Sequence, residues 1–347
     1  MISISRGPLS SRFQKAVHVA RSRAKDEISL TWASMPQEDP YVNFGDALSP
    51  IVVSAISGHR IRKVPFVSDE IRLSGIGTIA QNFAGGTVYF WGTGIDTVRH
   101  GPNVGEDGYR VPPDTRFHLA ACRGRMTQAT LADHAMTTQD AFGDPGWFAN
   151  RIWPEHANQE KSYDIGVVLH FTEWTAKRPD AQVKPELKRY HLPQSLKQRV
   201  CFINPIAHRS VEGVGEVVRQ IGRCRTILST SLHGLVIAES LGIPSFFFGP
   251  GFTRGPCEIT MTEPRVLDHR MRDLYSILGR ETVPAVIWPR QRLMDWQVVL
   301  DWCEKQRSFY DFDEKPLFEA FPFHKAVSLS DQRWPLRDDF LADGNFL

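Results

Sequence analysis

The chain has 347 residues, 41% hydrophobic and 23% charged, with a formal net charge of +2. This is the balance of a globular protein long enough for two domains, with no bias toward disorder and no basic-aromatic array for nucleic acid. Cysteines at 122, 201, 224, 257 and 303 are odd in number and form no C-x-x-C pair, which argues against a disulfide framework or a zinc knuckle and for a reducing cytoplasm.

Residues 1–27 form a basic extension, with Arg6, Arg12, Lys15, Arg21, Arg23 and Lys25 and, along one helical face, Phe13, Ala16, Val17 and Ala20. Two readings stand: a peripheral contact with an anionic membrane surface, or a helix against the protein's own body. The start lacks the apolar core of a signal peptide, and no apolar run reaches the ~18 to 20 residues that span a bilayer.

A first domain is expected over 28–155. It opens with a strand at 28–33 and a polar loop at 36–40. Asn43, Gly45 and Asp46 then make a turn before an apolar helical run at 48–56. Asp46 either caps that helix or places a carboxylate at the mouth of a site. Strands at 71–80 and 87–95 run into glycine-rich loops. The first contains Gly75-x-Gly77-x-x-Ala80, a formal dinucleotide fingerprint with Asp96 near the spacing of a ribose ligand, but Gln81 to Gly86 interrupt the long helix that motif needs. A strand at 116–121 brings Arg123 to its carboxyl end, where a guanidinium suits a carboxylate or phosphate. Asp144 reads as a cap, with Pro145 as first helical residue. Trp91, Trp147 and Trp153 read either as core or as platforms for sugar rings.

The polar stretch 154–162 is the expected boundary before a second domain at 163–311. Strands at 164–171 and 200–204 and a helix at 211–224 lead to a strand-helix-strand unit at 226–230, 232–241 and 243–248. Its turn carries Ser231, Leu232 and His233. Ser231 is the expected helix cap, and the free N–H groups of the first turn suit an anion. His170, at the end of an earlier strand, is expected to face the same cleft. A loop at 250–256 carries Arg254. A short helix at 271–278, a long amphipathic helix at 291–309, and a tail at 312–347 that wraps the surface or crosses back to the first domain complete the chain.

The ordered set N-F-G-D at 43–46, C-R-G at 122–124, G-D-P at 143–145, L-H-F at 169–171, L-H-G at 232–234 and G-I-P at 242–244 resembles the polysaccharide pyruvyltransferase family over roughly residues 28–280. The resemblance implies an α/β fold of two Rossmann-like domains facing across a cleft, as in GT-B enzymes. It implies a transferase that moves the pyruvate unit of phosphoenolpyruvate onto a sugar of an exopolysaccharide or cell-surface glycan precursor as a ketal, releasing phosphate. His233 becomes the general acid and Asp46 its orienting partner. Arg123, Ser231, Leu232, Asn43 and His170 become substrate-binding residues. Many members carry arginine where this chain has Ser231, and Arg254 is the expected replacement, with Arg225 behind it.

The implied chemistry calls for no metal and no cofactor beyond the phosphoenolpyruvate donor. The implied acceptor is a lipid-linked oligosaccharide at the inner membrane face, so the expected location is cytoplasmic or peripheral. The rivals are a nucleotide-sugar GT-B glycosyltransferase, a non-catalytic glycan-binding protein and a nicotinamide oxidoreductase. Thr230 to Gly234 do not form a G-x-S-x-G elbow, which disfavours a hydrolase.

Overall fold

A computed structural model describes residues 26–97, 103–105, 108–252, 255–261, 267–307 and 310–342. The proposed N-terminal helix and Arg254 lie outside the described residues.

The first half contains β1 (Glu27–Leu30), β2 (Tyr41–Asn43), α1 (Phe44–Ser57), β3 (Arg60–Lys63), β4 (Ile71–Ser74), β5 (Gly86–Thr93), β6 (Thr115–Cys122), α2 (Arg125–Leu131), β7 (Ala135–Thr138) and α3 (Ala149–Ile152). The second half contains β8 (Tyr163–Val168), β9 (Val200–Ile203), β10 (Ile206–His208), α4 (Val211–Gly222), β11 (Cys224–Ser229), α5 (Leu232–Ser240), β12 (Ser245–Gly249), β13 (Gly255–Thr260), α6 (His269–Tyr275), β14 (Thr282–Ile287) and α7 (Trp296–Cys303). A tail helix, α8 (Glu314–Glu319), follows.

Two six-stranded sheets result. The first has the order β3-β1-β4-β5-β6-β7 and every pairing in it is parallel. The second has the order β9-β8-β11-β12-β14-β13, parallel except for the antiparallel edge strand β13. Central strands covered on both faces need continuous apolar runs, which Ile165, Val167 and Val168 or Val88, Phe90 and Trp91 supply. In each sheet the second strand lies outside the first and the third lies on its other side. That reversal opens a crevice at the carboxyl ends of the strands, where open α/β sheets bind ligands. The architecture is therefore Rossmann-like α/β.

The halves are joined by more than the linker. Strands β2 and β10 form an antiparallel ribbon pairing Ile206 with Asn43 and His208 with Tyr41. One apolar core runs from Leu48, Val52 and Trp91 of the first half to Val214, Val218 and Ile237 of the second. The tail crosses back: Trp91 donates its indole N–H to the Leu317 carbonyl at 2.8 Å, and the Ile61 N–H donates to the Phe340 carbonyl.

Three local expectations change. The helix expected at 291–309 shortens to α7, because Asp295 caps it by accepting from the Gln297 N–H at 3.1 Å, and Leu293 before the cap is 65% exposed. Part of the loop at 250–256 is the start of β13. Trp91, Trp147 and Trp153 are all buried among core side chains, which removes them as sugar platforms. No helix among the described residues is long and apolar enough to cross a membrane.

Candidate active site

Between the carboxyl ends of the two sheets lies a cavity of about 390 Å³. The first half contributes Asn43 and Asp46 from the start of α1, Gly77 and Thr78 after β4, and Asp96 after β5. The second contributes His170, Ser231, Leu232, His233 and Arg270. Six of the residues that the family resemblance assigns to the site thus converge: Asn43, Asp46, His170, Ser231, Leu232 and His233.

His233 sits in the first turn of α5 and is 8% exposed. Its Nε2 lies 3.6 Å from Asp144 Oδ2, and neither atom has a hydrogen-bond partner among the described residues. Asp144 is fully buried, and its other oxygen accepts from the Gly146 N–H at 2.9 Å. One carboxylate thus caps a turn, as expected, and backs the histidine, which was not expected. On its other side the imidazole lies against Gly45. A Cβ at that position would stand 2.0 Å from His233 Nδ1, so only glycine lets the ring seat there.

The cap assignments on α1 and α5 need correction. Asn43, not Asp46, caps α1, its side chain accepting from the Gly45 N–H at 3.0 Å. Asp46 falls in the first turn beside the cavity. Burial raises its pKa and the nearby charges of His233 and Arg270 lower it, leaving it at about 6. Ser231 occupies the cap position of α5 but its side chain makes no cap hydrogen bond. Its own N–H instead donates to Ser229 Oγ at 3.0 Å. Among the described residues no side chain caps the first turn of α5, which borders the cavity with the positive end of the helix dipole. Gly234 lets that helix close on β8 and β11, because a Cβ there would meet Ser229 Oγ at 2.3 Å.

The turn beneath α5 is held from behind. Thr230 Oγ1 accepts from the His170 N–H at 2.6 Å and donates to Glu173 Oε2 at 2.7 Å. Glu173 in turn pairs with the fully buried Arg189 at 2.7 Å and accepts from the Tyr190 hydroxyl at 3.0 Å.

Arg123 does not reach the cavity wall. It is fully buried, paired to Asp273 with its Nη2 at 3.0 Å and its Nε at 3.1 Å, and it donates to Thr78 Oγ1. Thr127 adds its N–H and hydroxyl to the same carboxylate. Arg225 is also displaced: it pairs with Asp164 at 3.5 Å beside a separate cavity of about 340 Å³ at the amino ends of the second sheet's strands.

The guanidinium in the cleft is Arg270, which no sequence signal marked. Its Nε and Nη2 donate to Asp268 at 2.8 and 3.1 Å, leaving the Nη1 edge unused by any described residue. Burial would raise the Asp268 pKa, but the hydrogen bonds and charge of Arg270 outweigh it and hold the carboxyl at about 2. Gly75-x-Gly77 leads into a single 3-10 turn, Ala80–Asn82, in place of a helix, so a pyrophosphate has no helix terminus to meet there. Among the described residues, no group of three or more His, Cys, Asp or Glu is placed to hold a metal ion.

Residues 78–251, half of the chain, match the family described as polysaccharide pyruvyl transferase. No curated protein and no solved structure gives a significant match.

Proposed function

From the premise that this chain belongs to the polysaccharide pyruvyl transferase family and is a transferase, we propose that it moves the pyruvate unit of phosphoenolpyruvate onto two hydroxyls of one sugar as a ketal. The acceptor would be a sugar of an exopolysaccharide or cell-surface glycan precursor, carried on a lipid and met at the cytoplasmic face of the membrane. The halves would act as two Rossmann-like domains in a GT-B-like arrangement, with the boundary in residues 154–162. The reading rests above all on His233 facing this cavity from an uncapped helix terminus, with the buried Asp144 behind it.

Ketal formation from an enol phosphate needs a proton at the methylene carbon, charge to hold a carboxylate and a phosphate, and stabilisation as phosphate departs. Asp144 faces Nε2 and so favours the tautomer that carries its proton there. With the Nε2 proton kept toward Asp144, the imidazolium form carries its second proton on Nδ1, above Gly45, and that is the proton given to the methylene, which leaves the ring neutral. The first-turn N–H groups of α5 and the open edge of Arg270 supply preorganised positive charge for the donor's two anionic groups. With its pKa raised to about 6, Asp46 accepts a hydrogen bond when ionised and donates one when protonated, and so can orient a donor oxygen or a sugar hydroxyl.

Calorimetric titration with phosphoenolpyruvate, UDP-glucose and NAD tests this reading. Saturable binding of phosphoenolpyruvate alone is expected, with His233→Ala retaining the binding but losing phosphate release by about 10² to 10⁴-fold. A UDP-glucose signal without one for phosphoenolpyruvate would transfer the site to nucleotide-sugar chemistry.

A further inference from the structure

A second histidine-aspartate pair lies in the same cleft, in the reverse order. Asp96 lines the cavity and is 5% exposed, with its N–H fixed by donation to Gln81 Oε1 at 3.0 Å. Behind it stands His269, whose Nε2 is 3.4 Å from Asp96 Oδ1 and whose Nδ1 is 3.5 Å from Asp268 Oδ1. Asp268 holds Arg270, and Arg270 lines the cavity again. Four charged or titratable side chains therefore form an arc whose two ends, a carboxylate and a guanidinium, open on one ligand space.

Proton balance gives this arc a task. Two sugar hydroxyls each form a C–O bond to the carbon that loses phosphate, so two hydroxyl protons must leave, while one proton is added to the methylene carbon. His233 supplies that proton and can be restored by one hydroxyl. The second proton must travel to the departing phosphate, and His233 cannot take both.

We propose that Asp96, backed by His269, accepts the proton of one acceptor hydroxyl and passes it to a phosphate oxygen as the C–O bond to phosphate breaks. The inference rests on the pyruvyl-transfer reading above. Asp96 is the catalytic residue and His269 a positioning residue that fixes the carboxylate and tunes its basicity. Among the described residues, the charged groups acting on His269 are Asp268, Asp96, Arg270 and Arg123. Burial lowers its pKa, the two carboxylates raise it and the two arginines lower it, with a net lowering. A neutral imidazole is thereby available to hydrogen-bond Asp96 near neutral pH.

The test combines two measurements. Phosphate release from phosphoenolpyruvate is followed with the methyl glycosides of glucose, galactose and mannose as probe acceptors, beside calorimetric binding of phosphoenolpyruvate. Asp96→Asn should lower release by about 100-fold or more while changing the dissociation constant by less than about threefold. His269→Gln should lower it by about tenfold and displace one limb of the pH profile, which a purely structural role would not do.

The second measurement is the NMR titration of the His269 ring, which needs no acceptor. Its midpoint should fall in Asp96→Asn, because a carboxylate that favours the cation has been removed. Asp96→Asn releasing phosphate within about threefold of the unaltered protein, or an unmoved His269 midpoint, would overturn the assignment. If the unaltered protein binds no phosphoenolpyruvate, the transfer reading falls by itself, and the His269 midpoint still decides the pairing.

Discussion

Two arginine-aspartate pairs are built on α6, and they do different work. Arg123 and Asp273 are sealed, with side chains 0% and 3% exposed. Arg270 and Asp268 retain 20% and 30%, and Arg270 lines the cavity. In the first pair both charges are out of water, so each exists only because the other does. In the second the carboxylate takes one edge of the guanidinium and leaves the other for a ligand. An arginine at the carboxyl end of a strand is thus not a clamp by position alone; what occupies its donors decides.

Substitution at Arg123 should separate the two pairs most sharply. Arg123→Ala strands Asp273 in the interior and should cost about 3 to 5 kcal/mol of stability, the range for breaking a buried pair, read as a lowered denaturant midpoint. Arg270→Ala should cost less, about 1 to 3 kcal/mol in the same experiment, because the pair keeps some contact with water while Arg270 still holds the Asp268 carboxyl at about 2. A stable Arg123→Ala protein that has merely lost phosphoenolpyruvate binding would break the comparison.

A smaller effect is expected at Asp46, whose pKa near 6 exceeds the ordinary 3.8. The folded chain binds this proton more tightly than the unfolded one, so stability falls as pH rises from about 4 through 6, and the full penalty remains above 6. Asp46→Asn should therefore be more stable than the unaltered protein at pH 7.5, by about 1 to 3 kcal/mol, with the gain vanishing near pH 4. Denaturant titrations at the two pH values read it directly. An equal gain at both would assign the effect to packing.

The smallest effect is expected at Ser231. Because its side chain makes no cap hydrogen bond, Ser231→Ala should change stability by less than about 0.5 kcal/mol, below the usual cost of losing a cap. A thermal shift larger than that would show that the hydroxyl caps α5 in solution.

Much of this was legible in the chain. Apolar strand runs and the glycines after them act through local geometry, and the short Asn-Phe-Gly-Asp and Leu-His-Gly segments fall at helix starts beside one cavity, although Asn43 rather than Asp46 caps the first helix and Ser231 does not cap the second. Asp144, Arg270 and His269 were not legible, because their roles are set by neighbours far away in sequence. Asp144 already had a sufficient local task as a cap, which concealed its second one. Arg123 was misread for the same reason: its partner lies 150 residues on. The helix at 291–309 was overextended because apolar spacing continues through Leu293 and Trp296, while the Asp295 cap between them fixes the true start.

The ribbon between Tyr41–Asn43 and Ile206–His208 carries a consequence for how the molecule could be divided. A chain cut within 154–162 would leave Asp144 and Gly45 on one fragment and His233 on the other, so neither piece would own the complete histidine-aspartate pair. Each would also expose half of a shared apolar core and one unpaired ribbon edge facing its complement. Two inactive fragments that regain the proposed phosphate release on mixing are the outcome this join implies, making function a property of reassembly.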